Sequence, residues 1–336
     1  MPKEVAVLKG LYILATSSYE VIYGEAERAD IAGLVEVYAP QQTSDSVEQN
    51  PAILYDAEVI LSGWGAPLMD ERFLAAAPKL RAVFYGAGSI RGIVTEAFWD
   101  RGILISSAWA ANAEPVAEYT VAQVFMCLKR VWQYARDTKD ARKFLRHLMV
   151  PGGYGSTVGI ISLGMVGRRV CELLRAYDLK LLAYDPFVAP EEAAKLNVEI
   201  CSLEEVFSRA DVVSLHAPWL TETEGMITGA HFAAMKAGAS FINTARGAIV
   251  REGEMIEVLK ARPDLFAVLD VTYPEPPPPD SSLYALSNVI LTPHIAGSMD
   301  GECRRMGRYM VEELRRYVKG EPLRWGISRE RAAVLA

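Results

Sequence analysis

Short runs of β-branched and aliphatic residues alternate along most of this chain with longer stretches whose apolar positions recur at helical spacing. That is the pattern of parallel strands joined by crossover helices. The first series predicts strands at residues 12–16, 34–38, 59–62, 82–85 and 103–106, with helices between them. After Ser107 the texture changes: residues 113–147 carry helical spacing with almost no strand signal until Pro151, Gly152 and Gly153 interrupt it. A second series then predicts strands at 157–163, 180–184, 212–215, 240–243, 267–271 and 289–292, with a helix over 165–177 directly after the first of them. A last helix, about 299–319, is rich in Arg and Glu and is expected to have no strand after it. Such a helix can cross back to the first series, so residues 1 to about 110 and 300–336 are expected to form one discontinuous unit with the middle inserted. The fold class is therefore α/β, with two doubly wound sheets and no tandem repeat.

The chain has 336 residues, enough for two domains, and 51% of them are hydrophobic against 23% charged, the balance of a globular protein. A formal charge of -7 argues against nucleic acid as a partner, because a phosphate-tracking surface needs clustered positive charge. Cys127, Cys171, Cys201 and Cys303 are far apart with no C-x-x-C pair, so neither a metal site nor a disulfide scaffold is expected; free thiols fit a reducing cytoplasm. No apolar stretch approaches the length of a membrane helix, and Lys9 interrupts what would be the apolar core of a signal peptide. No membrane partner and no export are expected.

The candidate chemistry lies at the ends of the second series of strands. The strand at 157–163 runs through Ser162 into Gly164, Met165, Val166 and Gly167 at the start of a helix, a G-x-G-x-x-G fingerprint with serine at the first position. Gly164 and Gly167 keep the two roles of backbone approach to a pyrophosphate and close helix packing, and the helix start offers free N–H groups to phosphates. Asp185 ends the next strand at the distance expected of the acid that binds ribose hydroxyls; Pro186 and Phe187 follow it rather than arginine, so NAD is preferred to NADP.

Three further segments each bring one polar residue out of an apolar run. Arg246, followed by Gly247, can hold a carboxylate through two parallel hydrogen bonds. His294, after the strand at 289–292, is the natural acid–base group at neutral pH. Glu275, in a proline-stiffened stretch, can orient that imidazole and favour its charged form. Of the other histidines, His147 and His231 read as surface residues, whereas His216, before Ala217 and Pro218 at another strand end, reads as shaping a cofactor pocket.

Taken in order, the phosphate loop, Tyr184–Asp185–Pro186, His216 and Pro218, the segment Asn243 to Gly247, Asp270 through Glu275 and Pro276, and Pro293–His294 resemble the D-isomer-specific 2-hydroxyacid dehydrogenase family over most of the chain. The resemblance implies an NAD-binding domain at 108–298 inserted into a substrate domain of 1–107 and 299–336, a cleft between them, and a homodimer formed mainly by cofactor domains. It implies that Arg246, Glu275 and His294 form the catalytic set, with Arg246 binding a 2-oxo acid and His294 protonating its carbonyl oxygen as NADH delivers hydride to C2. Glu275 would keep His294 protonated. By the same similarity Ser162, Gly164, Met165, Val166, Gly167, Asp185, His216, Ala217, Pro218, Thr244, Ala245, Arg246, Asp270, His294 and Gly297 line the cofactor site. Asp270 and the backbone of Thr244 and Ala245 would meet the nicotinamide amide.

The resemblance also places a carboxylate-binding loop at Tyr85, Gly86, Ala87 and Gly88, with Trp64 and Gly65 on an opposite wall and Trp64 and Tyr85 limiting the substrate's side chain. The departures are Ser162, Ile90 after the substrate loop, and Trp219–Leu220 after Pro218. An alternative of a different class, an NAD(H)-sensing binding protein of the corepressor type, can carry the same residues. No long tail or partner motif favours it, and the enzyme is the preferred reading.

Overall fold

The computed structural model describes residues 7–146 and 149–334. Its chain divides into two compact units, one of Met1–Asn112 with Ser298–Ala336 and the other of Ala113–Gly297. Each is a sheet with helices on both faces.

In the first unit, β1 (Lys9–Ile13), β2 (Glu36–Val37), β3 (Val59–Ser62), β4 (Ala82–Tyr85) and β5 (Leu104–Ser107) lie in the order 2-1-3-4-5, all parallel. The middle strands are buried along their whole length, which explains why they read as continuous apolar runs rather than as alternation. In the second unit, β6 (Thr157–Ile161), β7 (Lys180–Tyr184), β8 (Val198–Ile200), β9 (Val212–Leu215), β10 (Ser240–Asn243), β11 (Phe266–Leu269) and β12 (Val289–Leu291) form a parallel sheet in the order 12-11-10-9-6-7-8. Counted from β6, the first six strands run 3-2-1-4-5-6, the order of dinucleotide-binding sheets, and it reverses between β6 and β9. Apolar clusters cover both faces of each sheet, Ile60 and Phe98 on one side of the first and Phe84 and Met310 on the other.

Several boundaries differ from the sequence expectation. The first strand lies at Lys9–Ile13 rather than 12–16, because Glu58 accepts from the Lys9 backbone at one end and a helix starts at Thr16 at the other. The helical stretch expected over 113–147 is two helices, Trp109–Leu128 and Val131–Ala141, separated where Arg130 turns left-handed with φ 50°. Residue 147, and with it His147, lies outside the described residues.

The last helix, Cys303–Val318, is followed by a strand after all: β13 (Gly326–Ile327) pairs antiparallel with β5. Two residues are too few to show a hydrophobic period, and a buried carboxylate fixes them instead. Glu313, 1% exposed, accepts from Ser106 Oγ at 2.7 Å and from the backbone N–H groups of Arg324 and Trp325 at 3.0 and 2.9 Å.

Candidate active site

The phosphate loop is built by close approach. A Cβ at Gly167 would stand 2.0 Å from the Ser162 carbonyl oxygen, so glycine alone lets the helix Met165–Leu174 start this close to the end of β6. Ser162 holds the first position of the turn with φ 77°, a left-handed conformation that costs a non-glycine residue about 1–2 kcal/mol. Asp185 ties the turn together, accepting from Leu163 N at 2.7 Å and Phe187 N at 2.8 Å. Each of its oxygens keeps a lone pair for a ribose hydroxyl, and its charge opposes a 2′-phosphate. The first helical N–H groups, at Met165 and Val166, precede the first intrahelical bond, from Arg168 N to Gly164 O. These features fit a dinucleotide.

His216 follows β9 with Nε2 2.9 Å from Ser214 Oγ. Burial pushes its pKa down to about 3, so the imidazole is neutral near pH 7. Ala217 beside it is buried, and Trp219, one of the departures, packs edge-on against Tyr273 with ring centroids 5.5 Å apart. That contact falls two residues before Glu275. His231, expected at the surface, is half-buried and accepts from Thr228 N at 3.0 Å as part of a helix cap.

Asn243, Leu269 and Leu291 end β10, β11 and β12 in register, so the segments after them emerge side by side. Asn243 folds the first, its Oδ1 accepting from Ala245 N at 3.0 Å and its Nδ2 donating to Arg246 O at 3.1 Å. Gly247 sits where a Cβ would be 2.0 Å from the Thr272 carbonyl carbon, which brings the arginine loop against the chain leading to Glu275. The Arg246 guanidinium is largely enclosed and donates to Ala245 O at 2.6 Å. Burial lowers its pKa while the Glu275 charge opposes that shift.

Asp270, 2% exposed, accepts through Oδ1 from Thr292 Oγ1 at 2.6 Å and Ile295 N at 2.9 Å, and through Oδ2 from Ala296 N at 2.9 Å. Its main-chain oxygen accepts from His294 N at 3.0 Å. The loop carrying the histidine is thus clasped from both sides, with His294 itself at φ 55°. From there Nδ1 reaches Glu275 Oε1 at 2.6 Å, and both side chains are about half exposed at 48% and 41%. Thr244 is buried and its Oγ1 lies 3.3 Å from Thr120 Oγ1, while Ala245 N and O are already engaged within the loop. Gly297 is half-buried next to the clasped Ala296.

In the first unit, Trp64 is 38% exposed on the loop after β3, and Gly65 has φ 83° with no room for a Cβ against Ala15. Tyr85, expected to limit the substrate's side chain, is not open to one. It is 6% exposed with its ring in the core beside Ile60 and Val83, because its position on β4 faces the helices. Gly86 and Ala87 are buried too, so the open part of the loop is Gly88 and Ser89, whose N–H groups donate to no oxygen among the described residues. Two residues outside the sequence reading matter to the histidine loop: Thr292, and Tyr119, whose hydroxyl lies 3.0 Å from Thr292 Oγ1. The Leu291–His294 segment could have drawn attention to Thr292; nothing local marks Tyr119.

Residues 121–296, just over half of the chain, match the model of the NAD binding domain of D-isomer specific 2-hydroxyacid dehydrogenases, which makes NAD the cofactor of this unit. The D-3-phosphoglycerate dehydrogenase of Archaeoglobus fulgidus is 32% identical over 290 residues, covering 86% of this chain and 54% of that protein. The human protein of the same name is 32% identical over 248 residues, 74% of this chain and 46% of its own length. The chain thus spans about half the length of these relatives. Among solved structures, D-lactate dehydrogenase from Aquifex aeolicus, complexed with NAD and lactic acid, matches with TM-score 0.69 and 26% identity over 93% of this chain and 96% of that one. A phosphoglycerate oxidoreductase from Rhizobium etli shares the fold, with TM-score 0.80 at 21% identity over 96% of this chain and 99% of that one. On the strength of the family match, which contains the phosphate loop, Arg246, Asp270, Glu275 and His294, the chain belongs to the D-isomer specific 2-hydroxyacid dehydrogenase family.

Proposed function

We propose that this protein is an NAD-dependent dehydrogenase that interconverts a 2-oxo acid and its D-2-hydroxy acid, with Arg246, Glu275 and His294 as its catalytic residues. The observation that carries the reading is the 2.6 Å contact between His294 Nδ1 and Glu275 Oε1, formed by loops that leave neighbouring strands beside Arg246. With Nδ1–H held by the carboxylate, Nε2 is the nitrogen left to exchange a proton with substrate. Arg246 offers a planar fork for the substrate carboxylate. In the reducing direction His294 gives its Nε2 proton to the carbonyl oxygen and Arg246 holds the acid. Bound NADH supplies the hydride, and Gly164, Met165, Val166, Gly167 and Asp185 are the residues that would hold its pyrophosphate and ribose.

In this reading the first unit, expected over residues 1–107 and 299–336, is the substrate domain. A homodimer is supported by the second unit, where the helix Val131–Ala141 buries no residue and Phe144, Met149 and Tyr154 are 90%, 78% and 87% exposed. A cytoplasmic setting is supported by the four free thiols, and no helix among the described residues is long and apolar enough to cross a membrane.

The test is a panel of 2-oxo acids followed by NADH absorbance: glyoxylate, hydroxypyruvate, pyruvate, branched and aromatic acids, and 3-phosphohydroxypyruvate. Turnover of a 2-oxo acid with a D product supports the proposal. Tight NADH binding with no turnover of any acid would instead mark a sensor.

A further inference from the structure

The backbone of His294 is left-handed, at φ 55°, directly after Pro293. A side-chain-bearing residue held there costs of order 1–3 kcal/mol and persists only where its surroundings determine it. The surroundings that do so are the Asp270 carboxylate, which takes the N–H groups of the next two residues, Ile295 and Ala296, and the Asp270 carbonyl, which takes that of His294. The rotamer of Asp270 therefore decides where the imidazole stands.

Hydrogen accounting shows what sets that rotamer. A carboxylate only accepts, and a threonine hydroxyl has one hydrogen to give. At 2.6 Å that hydrogen goes from Thr292 Oγ1 to Asp270 Oδ1. Thr292 Oγ1 is then left as an acceptor, so the 3.0 Å contact with Tyr119 is a donation from the phenol. The sense of the whole chain is fixed: Tyr119 to Thr292 to Asp270, whose two oxygens receive the amides of the histidine loop. Burial pushes the Tyr119 hydroxyl above its ordinary pKa, which keeps the donor in place through the neutral range. Tyr119 projects from the helix Trp109–Leu128, a rigid anchor outside the loop it serves.

We propose that Tyr119 and Thr292 are positioning residues for His294, acting through Asp270 to hold the proton-transfer loop in its strained conformation. The proposal rests on the dehydrogenase reading for its kinetic consequence and on geometry alone for its structural one, and the experiment separates the two. In Tyr119→Phe and Thr292→Val, kcat is expected to fall roughly three- to tenfold, the size of one lost hydrogen bond, with the KM for NADH within about twofold of wild type. Thr292→Ser restores the rate, and the double variant Tyr119→Phe with Thr292→Val is no slower than the worse single one, since both break the same chain. Hydrogen exchange at the Ile295 and Ala296 amides quickens in the same variants by a similar factor.

Unchanged exchange at those amides together with an unchanged kcat in Tyr119→Phe, or fully additive losses in the double variant, overturns the proposal. If the wild type reduces no 2-oxo acid, the dehydrogenase reading fails on its own, and exchange at the two amides still decides whether Tyr119 holds the loop.

Discussion

Glu275 Oε1 lies 2.6 Å from His294 Nδ1, although the two are 19 positions apart along the chain. In the proposed mechanism this contact makes the carboxylate an orienting partner rather than a second acid, because it holds Nδ1 and leaves Nε2 to meet the substrate. Glu275→Gln can retain a hydrogen bond but also permits the opposite tautomer. We expect it to lower kcat by about a hundredfold, within the range that acid–base catalysis contributes, while NADH affinity changes little. Steady-state kinetics with a fluorescence titration of NADH check this; a rate within twofold of wild type would remove the pair from the mechanism.

Ser162 carries a conformation that suits glycine, with φ 77°. Ser162→Gly is expected to relieve about 1 kcal/mol and raise Tm by about 2–4 °C without weakening NAD. Differential scanning calorimetry with and without NAD reads both effects. A lower Tm would mean that the hydroxyl makes a contact worth more than the strain.

Asp185 binds the turn through both oxygens and retains lone pairs for ribose hydroxyls. Asp185→Ala is therefore expected to weaken NAD by about tenfold and NADP by much less, since the lost carboxylate also repelled the phosphate. Calorimetric titration of both cofactors decides it, and equal losses would sink the ribose assignment.

His216 is held neutral, its pKa pushed down to about 3 from an ordinary 6.5 by burial. The unfolded chain binds a proton there below about pH 6.5 while the folded one does not, so the stabilisation is whole above that value and is lost as pH falls toward 3. Comparing urea unfolding of wild type and His216→Asn should show the difference in stability drifting by about 1.4 kcal/mol per pH unit between about pH 6 and 4. A difference independent of pH would mean that the ring is protonated in the folded protein.

How much of this was legible in the sequence follows from the range of the forces involved. Strands such as Val59–Ser62 and Ser240–Asn243 are buried along their whole length because both faces are covered, and the apolar residues within them announce them. Strand Gly326–Ile327 is not announced, because Glu313 sets it through hydrogen bonds to Arg324 and Trp325 that no local period encodes. Arg130 turns the chain left-handed between two helices with neither glycine nor proline to signal it. In the site, Arg246, Glu275 and His294 stood out by residue type and place at strand ends. Tyr85, expected to limit the substrate's side chain, is buried instead, because burial on one sheet face is a tertiary matter. The bond from Tyr119 to Thr292 spans 173 positions and has no sequence signature.

The central claim is that His294 passes the proton while the second unit holds the cofactor. The most direct measurement is the rate of NADH oxidation by His294→Ala with the best-accepted 2-oxo acid, taken alongside the NADH dissociation constant of the same variant. We expect kcat to fall by about two to four orders of magnitude with NADH affinity within about twofold of wild type. A variant that keeps its rate, or that loses it only because NADH no longer binds, would contradict the account.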